Sequence, residues 1–313
     1  MIIAITPFPS IEYIYEIQQL IPNCSLASKT VSLNILSKGI YCSQMIKVLQ
    51  EEPMLLSSLG GFAGKSIKHY LDKSKVKSDV VWSDYETPHQ VKIVLESSKD
   101  YYDLCSSEPI LLDKELVKLS NKLKSHIKKV STLIISGKLP KGQNPKIFEE
   151  WIHESKLHNV KTILSTGQKE VLAYALEEKP HTLMFTVEQL KQLDWYAPSY
   201  AEIIQNLVPL LGNGIHYICV YMKNEGALVL SKNKYCLVNS PIKLPNLNNT
   251  AASGAFLGAL AVSINRQYEQ EKMAKLSLCA SLAANDNVNR VICSRKDIES
   301  KLKKTKVKQL ILN

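Results

Sequence analysis

The chain has 313 residues, 45% of them hydrophobic and 22% charged, and carries a formal net charge of +10 at pH 7. That length suits one large α/β unit able to bury its own core, and the composition excludes a disordered, collagenous or disulfide-dense chain. Seven scattered cysteines without a C-x-x-C pair exclude a disulfide framework and a zinc site, and they read as those of a reducing, cytoplasmic compartment. In chain order, Met1-Ile2-Ile3-Ala4-Ile5-Thr6 lacks a basic lead-in and reads as a first strand over 2–6, not a signal segment. Apolar and polar residues alternate through 24–36 (Val31, Leu33 and Ile35 against Ser32 and Asn34) and again through 90–96 (Val91, Ile93, Leu95). This is the period of strands with one wet face. Strand-like apolar runs follow at 131–135, 160–164 and 216–221. Helical stretches are expected at about 40–51, 64–73, 113–128, 146–156, 168–176 and 198–208.

Strand-then-helix alternation of this kind predicts a largely parallel sheet covered by helices. The two alternating segments predict a small separate sheet, a lid with strands inserted at about 12–36 and 80–96. No Gly/Ser-rich or Pro-rich linker divides the chain, so residues 1–313 read as a single domain. Ala252–Ile264 is small and apolar but too short to span a membrane, and reads as a core helix of a soluble protein. Lysines cluster on the 113–128 helix (Lys114, Lys118, Lys122, Lys124, Lys128) and in the tail (Lys301 to Lys308). They raise the alternative of a regulatory or nucleic-acid-associated protein, but the spacing is that of a solvated helix face without interleaved aromatics. Nucleic acid is therefore a disfavoured partner. His153 and His158 read as a wet helix face and not as a metal site.

Five motifs, in order, resemble the phosphofructokinase B family of carbohydrate kinases, in its branch of 1-phosphofructokinases and tagatose-6-phosphate kinases. Thr6-Pro7-Phe8-Pro9-Ser10-Ile11-Glu12 resembles T-x-N-P-A-x-D, and Ser37-Lys38-Gly39-Ile40-Tyr41 stands where the branch has G-K-G-x-N. Leu59-Gly60-Gly61-Phe62-Ala63-Gly64 matches L-G-G-F-x-G, and Ser136-Gly137-Lys138-Leu139-Pro140-Lys141-Gly142 is similar to S-G-S-L-P-x-G. Asn249-Thr250-Ala251-Ala252-Ser253-Gly254-Ala255 follows N-T-x-G-A-G-D. The resemblance implies a ribokinase-like α/β/α sandwich of three layers with a β-sheet lid over the sugar. It also implies ATP and Mg²⁺ at the strands' carboxyl ends, and assembly through the lid, as a homodimer or with an active relative.

Phosphoryl transfer requires a positioned hydroxyl, a base to take its proton, and donors or cations to hold charge on the phosphates. The resemblance implies that the last motif supplies the base from an aspartate and phosphate-facing N–H groups from its glycines. Gly254 and Ser253 stand within this motif, but Ala255 replaces the aspartate and Ala252 a glycine. A methyl group accepts no proton, and losing a general base removes about 10²–10⁴ of rate.

Other positions depart as well. The metal- and phosphate-associated K-P-N-x-x-E reads Met184-Phe185-Thr186-Val187-Glu188-Gln189, so Gln189 replaces the acid. The S-x-G phosphate turn reads Tyr221-Met222-Lys223, ahead of Asn224-Glu225-Gly226. Glu12 stands for the sugar-holding aspartate, Tyr41 for an asparagine, and Pro88 for an arginine that would fork onto a sugar phosphate. By resemblance, then, Glu12, Lys38, Gly39 and Tyr41 are the expected substrate residues, and Lys223, Gly226, Thr186 and Asn249 the cofactor residues. The expectation is a degenerate kinase acting by binding or assembly. The alternative is an active hexose-phosphate kinase with a displaced base, Glu12 or Asp286, the latter flanked by Asn285 and Asn287.

Overall fold

A computed structural model describes residues 1–98, 100–106, 113–140, 142–243, 249–285 and 293–311. The amino-terminal part runs β1 (Ile2–Ile5), β2 (Ser10–Ile17), β3 (Thr30–Leu36), α1 (Lys38–Val48), β4 (Pro53–Gly60), α2 (Gly61–Lys73), β5 (Lys77–Ser83), β6 (His89–Leu95) and β7 (Tyr101–Cys105). Alternating helices and strands follow: α3 (Asp113–His126), β8 (Thr132–Ser136), α4 (Lys146–Leu157), β9 (Lys161–Ser165), α5 (Lys169–Glu177), β10 (Thr182–Thr186), α6 (Val187–Gln192), α7 (Tyr200–Leu207) and β11 (Tyr217–Tyr221). The chain closes with β12 (Gly226–Ser231), β13 (Lys234–Asn239), α8 (Asn249–Asn265), α9 (Gln270–Asn285), α10 (Arg295–Leu302) and β14 (Val307–Leu310).

The large sheet has ten strands in the order β14-β13-β12-β11-β10-β9-β8-β1-β4-β5. Every neighbouring pair from β11 to β5 is parallel, and β12 to β14 extend the sheet antiparallel. Burial on both faces explains the unbroken apolar strands. In β1, Ile2 and Ala4 join a core under α1, α2, α8 and α9, while Ile3 and Ile5 join a second core under α3, α4, α5 and α7. The expected three-layer α/β/α architecture is therefore observed. On α3, Leu116, Leu119 and Leu123 are buried and Lys114, Lys118 and Lys124 exposed, as a one-sided helix requires.

The second sheet has four strands in the order β3-β2-β6-β7. Its bounds differ from expectation in two ways. The 80–96 segment divides, because Lys77–Ser83 pairs with β4 at the edge of the large sheet and only His89–Leu95 joins the small one. A strand at Tyr101–Cys105, exposed along its length and so without a buried stripe, completes the small sheet.

Alternation sorts the small sheet's residues onto two faces. One carries Glu12, Asn34, Gln90 and Lys92. The other carries two apolar rows, Leu33-Tyr13-Val91-Leu104 and Val31-Tyr15-Ile93-Tyr102. Val31, Leu33, Tyr102 and Leu104 are 47–60% exposed.

Helix α8 is buried from Ala251 to Ile264 and lies against α1. Its small residues allow this approach. A Cβ on Gly254 would fall 2.7 Å from both the Lys38 carbonyl oxygen and Tyr41 Cβ, and one on Gly258 would fall 2.6 Å from the Cys42 carbonyl oxygen. Gly258→Val should therefore lower stability by about 1–3 kcal/mol through overpacking, read as a reduced midpoint in urea unfolding. An unchanged midpoint would contradict this contact.

Candidate active site

The parallel strands end along one edge, where α/β sheets bind ligands. Ser136 on β8, Ser165 on β9, Thr186 on β10 and Tyr221 on β11 close that edge, and Thr6 follows β1. Helix α1 starts beside them. Ser37 caps it by accepting from the Ile40 N–H at 3.4 Å, and its hydroxyl lies 3.2 Å from that of Thr6. At Gly39 a Cβ would lie 2.9 Å from Thr6 Cβ and 3.2 Å from Ser136 Oγ, so glycine lets the helix begin this close to the strands. Ser136 Oγ is buried without a hydrogen-bond partner among the described residues.

Lys38, in the first turn of α1, donates to Gln189 Oε1 at 2.9 Å and to Ser165 Oγ at 3.5 Å. Gln189 is itself fixed by a capping box on α6. Its Oε1 accepts from the Thr186 N–H at 2.9 Å, and its N–H donates to Thr186 Oγ1 at 3.3 Å. One amide oxygen thus serves both the Thr186 N–H and the Lys38 ammonium. Lys38 makes no ion pair among the described residues. Burial lowers its pKa to about 8, the Glu188 carboxylate opposing and Lys138 adding to the effect.

A cleft of about 240 Å³ opens here between the start of α1, the β10–α6 junction, the end of β11 and the first turns of α8. Lys38, Thr186, Lys223, Asn249 and Ser253 line it, as the sequence reading expects of a site, and Glu188, Tyr221 and Thr250 complete the wall. Lys223 has φ +53°, the left-handed conformation in which the family motif has glycine. Its ammonium pairs with Glu188 at 2.5 Å on the half-exposed rim. Burial pushes the Glu188 carboxyl up, but the hydrogen bond and charge of Lys223 outweigh it and hold the carboxyl below its ordinary value.

Other expected site residues fall elsewhere. Gly254 and Ala255 do not line the cleft. Helix α8 starts at Asn249, so both lie in its second turn, and Ala255 is fully buried in the apolar core. The first four N–H groups of an α-helix are free and later ones are bonded to carbonyls four residues back. By that count the N–H groups of Gly254 and Ala255 are committed inside the helix. The motif resemblance implies N–H groups open to a phosphate at these residues, but Asn249 and Thr250 start the helix ahead of them.

Tyr41 packs into the same core and is 7% exposed. Gly226, at φ +121°, is needed because a Cβ would meet the Val238 carbonyl at 1.9 Å, a constraint of the β12–β13 pairing and not of a ligand. Glu12 is buried in the small sheet, where its carboxylate accepts from Asn34 at 3.2 Å and Gln90 at 2.7 Å and pairs with Lys92 at 3.0 Å. Asp286 and Asn287 lie outside the described residues, as does the side chain of Asn285. Ser165, which sequence reasoning missed, was marked only by being a hydroxyl just past an apolar strand run.

A hard divalent cation takes oxygen ligands, and a protein site for Mg²⁺ usually offers one or two carboxylates beside waters and substrate phosphates. Gln189 is neutral and engaged, Glu188 is held by Lys223, and no group of three or more His, Cys, Asp or Glu among the described residues could hold a metal. Protein ligands for Mg²⁺ do not fit at this cleft. His153 and His158 instead face Glu178 and Glu154. Among the described residues no helix is long and apolar enough to cross a membrane.

A parallel sheet between helix layers, with hydroxyls and lysines gathered around a cleft at its strand ends, defines an α/β protein with a ligand-type site at the usual edge. Residues 27–287 match the pfkB family of carbohydrate kinases, and the chain belongs to that family. It is 24% identical to a 1-phosphofructokinase of Borreliella burgdorferi over 314 residues, covering 99% of each chain. It is likewise 24% identical to a tagatose-6-phosphate kinase of Staphylococcus epidermidis over 282 residues, 88% of this chain and 89% of that one. Its fold matches Escherichia coli phosphofructokinase-2 in complex with potassium, with a TM-score of 0.83 at 19% identity over 96% of this chain and 98% of that one. The tetrameric inhibited form of the same enzyme gives 0.81 at 19% identity and equal coverage.

Proposed function

We propose that this chain is a sugar-phosphate kinase homologue of the 1-phosphofructokinase and tagatose-6-phosphate kinase kind whose phosphoryl transfer is disabled, and that it acts in the cytoplasm by binding and assembly. The observation that carries this reading is Ala255: a methyl group, fully buried, at the motif position of the base. Two further features support it. The N–H groups that would face a transferred phosphoryl group are drawn into α8, and Pro88 leaves no guanidinium for the sugar phosphate. Glu12 is a poor substitute base, since its oxygens already face three donors and it does not line the cleft.

The test is steady-state turnover of ATP with fructose 1-phosphate, fructose 6-phosphate and tagatose 6-phosphate. Wild type should show no hexose-phosphate-dependent turnover above background. Ala255→Asp should recover none and should lower stability, because it places an unpaired carboxylate in an apolar core. Robust wild-type turnover on any of the three sugars would refute the reading.

Assembly is proposed through the apolar face of the small sheet, with a second copy of the chain as partner. The rows Leu33-Tyr13-Val91-Leu104 and Val31-Tyr15-Ile93-Tyr102 run across the sheet as one apolar face, exposed at its outer members Val31, Leu33, Tyr102 and Leu104, of the sort that marks an interface, and the Escherichia coli relative has a tetrameric form. Light scattering should give a dimer for wild type and a monomer for Leu33→Lys with Leu104→Lys. A wild-type monomer, or a dimer that survives both changes, would refute this interface.

A further inference from the structure

We infer that the cleft at the strand ends holds a phosphate-type oxyanion without a divalent metal, the Lys38 ammonium supplying the counter-charge that a metal supplies in a working kinase. The inference rests on the family reading above and concerns what the disabled site retains. Its first support is an imbalance of charge. Lys38 is partly buried, held in place by two neutral oxygens, Gln189 Oε1 and Ser165 Oγ, and has no carboxylate partner among the described residues. The cleft's one lining carboxylate, Glu188, is already matched by Lys223. A partly buried ammonium with neutral neighbours is an incomplete pair, and an anion entering the cleft would complete it.

The second support is geometric. Asn249 and Thr250, in the first turn of the 17-residue helix α8, line the same cleft. Free N–H groups and the positive end of the helix dipole favour an anion at such a terminus. The third is size. At about 240 Å³ the cleft is below the range of about 300–1,000 Å³ typical of whole small-molecule sites. It suits a phosphate or diphosphate group, with anything attached to it lying outside.

The replacement of the metal is chemical in origin. Where the family pattern places a glutamate, Gln189 offers one neutral oxygen and gives it to Lys38 and the Thr186 N–H. The ammonium therefore occupies the electrostatic role from which a carboxylate-bound cation is excluded. Magnesium should add nothing to binding, and by complexing the ligand in solution it should weaken it.

The experiment is isothermal titration of the full-length protein with inorganic pyrophosphate and, separately, with ATP, each in EDTA and in excess Mg²⁺. Binding should occur in EDTA and be equal or weaker in Mg²⁺. Lys38→Met, close in shape and able to fold without a buried charge, should lose at least tenfold in affinity. Gln189→Glu, nearly isosteric, should neutralise Lys38, abolish binding in EDTA and make residual binding Mg²⁺-dependent. Binding of both probes assigns a free oxyanion site; binding of ATP alone assigns a nucleotide's phosphate end, and either supports the inference. Absence of binding in EDTA, strict dependence on Mg²⁺, or full affinity in Lys38→Met would overturn it. Because the readout is binding, failure here is separate from the appearance of turnover, which would refute the disabled-kinase reading instead.

Discussion

The contact between α1 and α8 is the constraint on which the site depends. Gly254 and Gly258, one turn apart, let the backbone of α1 approach to a distance that any side chain would block. That approach fixes where α1 begins, and so sets Lys38 over the ends of β9 and β10. The same contact locks α8 as a continuous helix from Asn249 and draws Ala255 into the core. A residue so placed packs well as alanine and poorly as aspartate. Alanine at 255 and the burial of that position are thus mutually consistent: a charged side chain there would oppose the packing that the small-residue helix makes.

The departures from the family pattern are coupled through electrostatics. Gln189 offers Lys38 a neutral amide oxygen and no counter-charge, whereas Lys223 gives Glu188 an ion-pair partner. Lys223 sits at positive φ, a conformation that favours glycine, so the ion pair is made at some backbone cost. A half-exposed pair of this kind contributes little to stability. Its consequence is local: Glu188 is held by Lys223 and acts on Lys38 only from a distance, so among the described residues the Lys38 ammonium has no carboxylate in contact.

Much of the fold was legible in the sequence, and the reasons are specific. The unbroken apolar runs of β1, β8, β9 and β11 reflect strands buried on both faces, and the alternation at Val31-Leu33-Ile35 and Val91-Ile93-Leu95 reflects strands of the small sheet. Tyr101–Cys105 was not legible because none of its residues is buried, so no pattern marks it. Val307–Leu310 was hidden among tail lysines, its place set by pairing with β13 and not by its own hydrophobicity. Of the residues that the ordered motifs name, Lys38, Thr186, Lys223, Asn249 and Ser253 line the cleft. Ala255 and Gly254 do not line it, because a motif gives the order of residues and not the turn at which a helix starts. Gly39 and Gly226 have packing reasons of their own, the approach of α1 to the Thr6 and Ser136 side chains and the β12–β13 pairing, which a motif does not separate from a ligand contact.

The central claim is that α8 begins before the phosphate-facing motif and commits its N–H groups to the helix. Residue-resolved amide hydrogen exchange, followed by NMR, addresses this directly. The amides of Gly254 and Ala255 should exchange as slowly as those of Gly258 and Leu260 in the same buried helix, and their rates should not change when ATP is added. Fast exchange at Gly254 and Ala255 that slows on adding ATP would show open N–H groups ready to receive a phosphate, and would contradict the account.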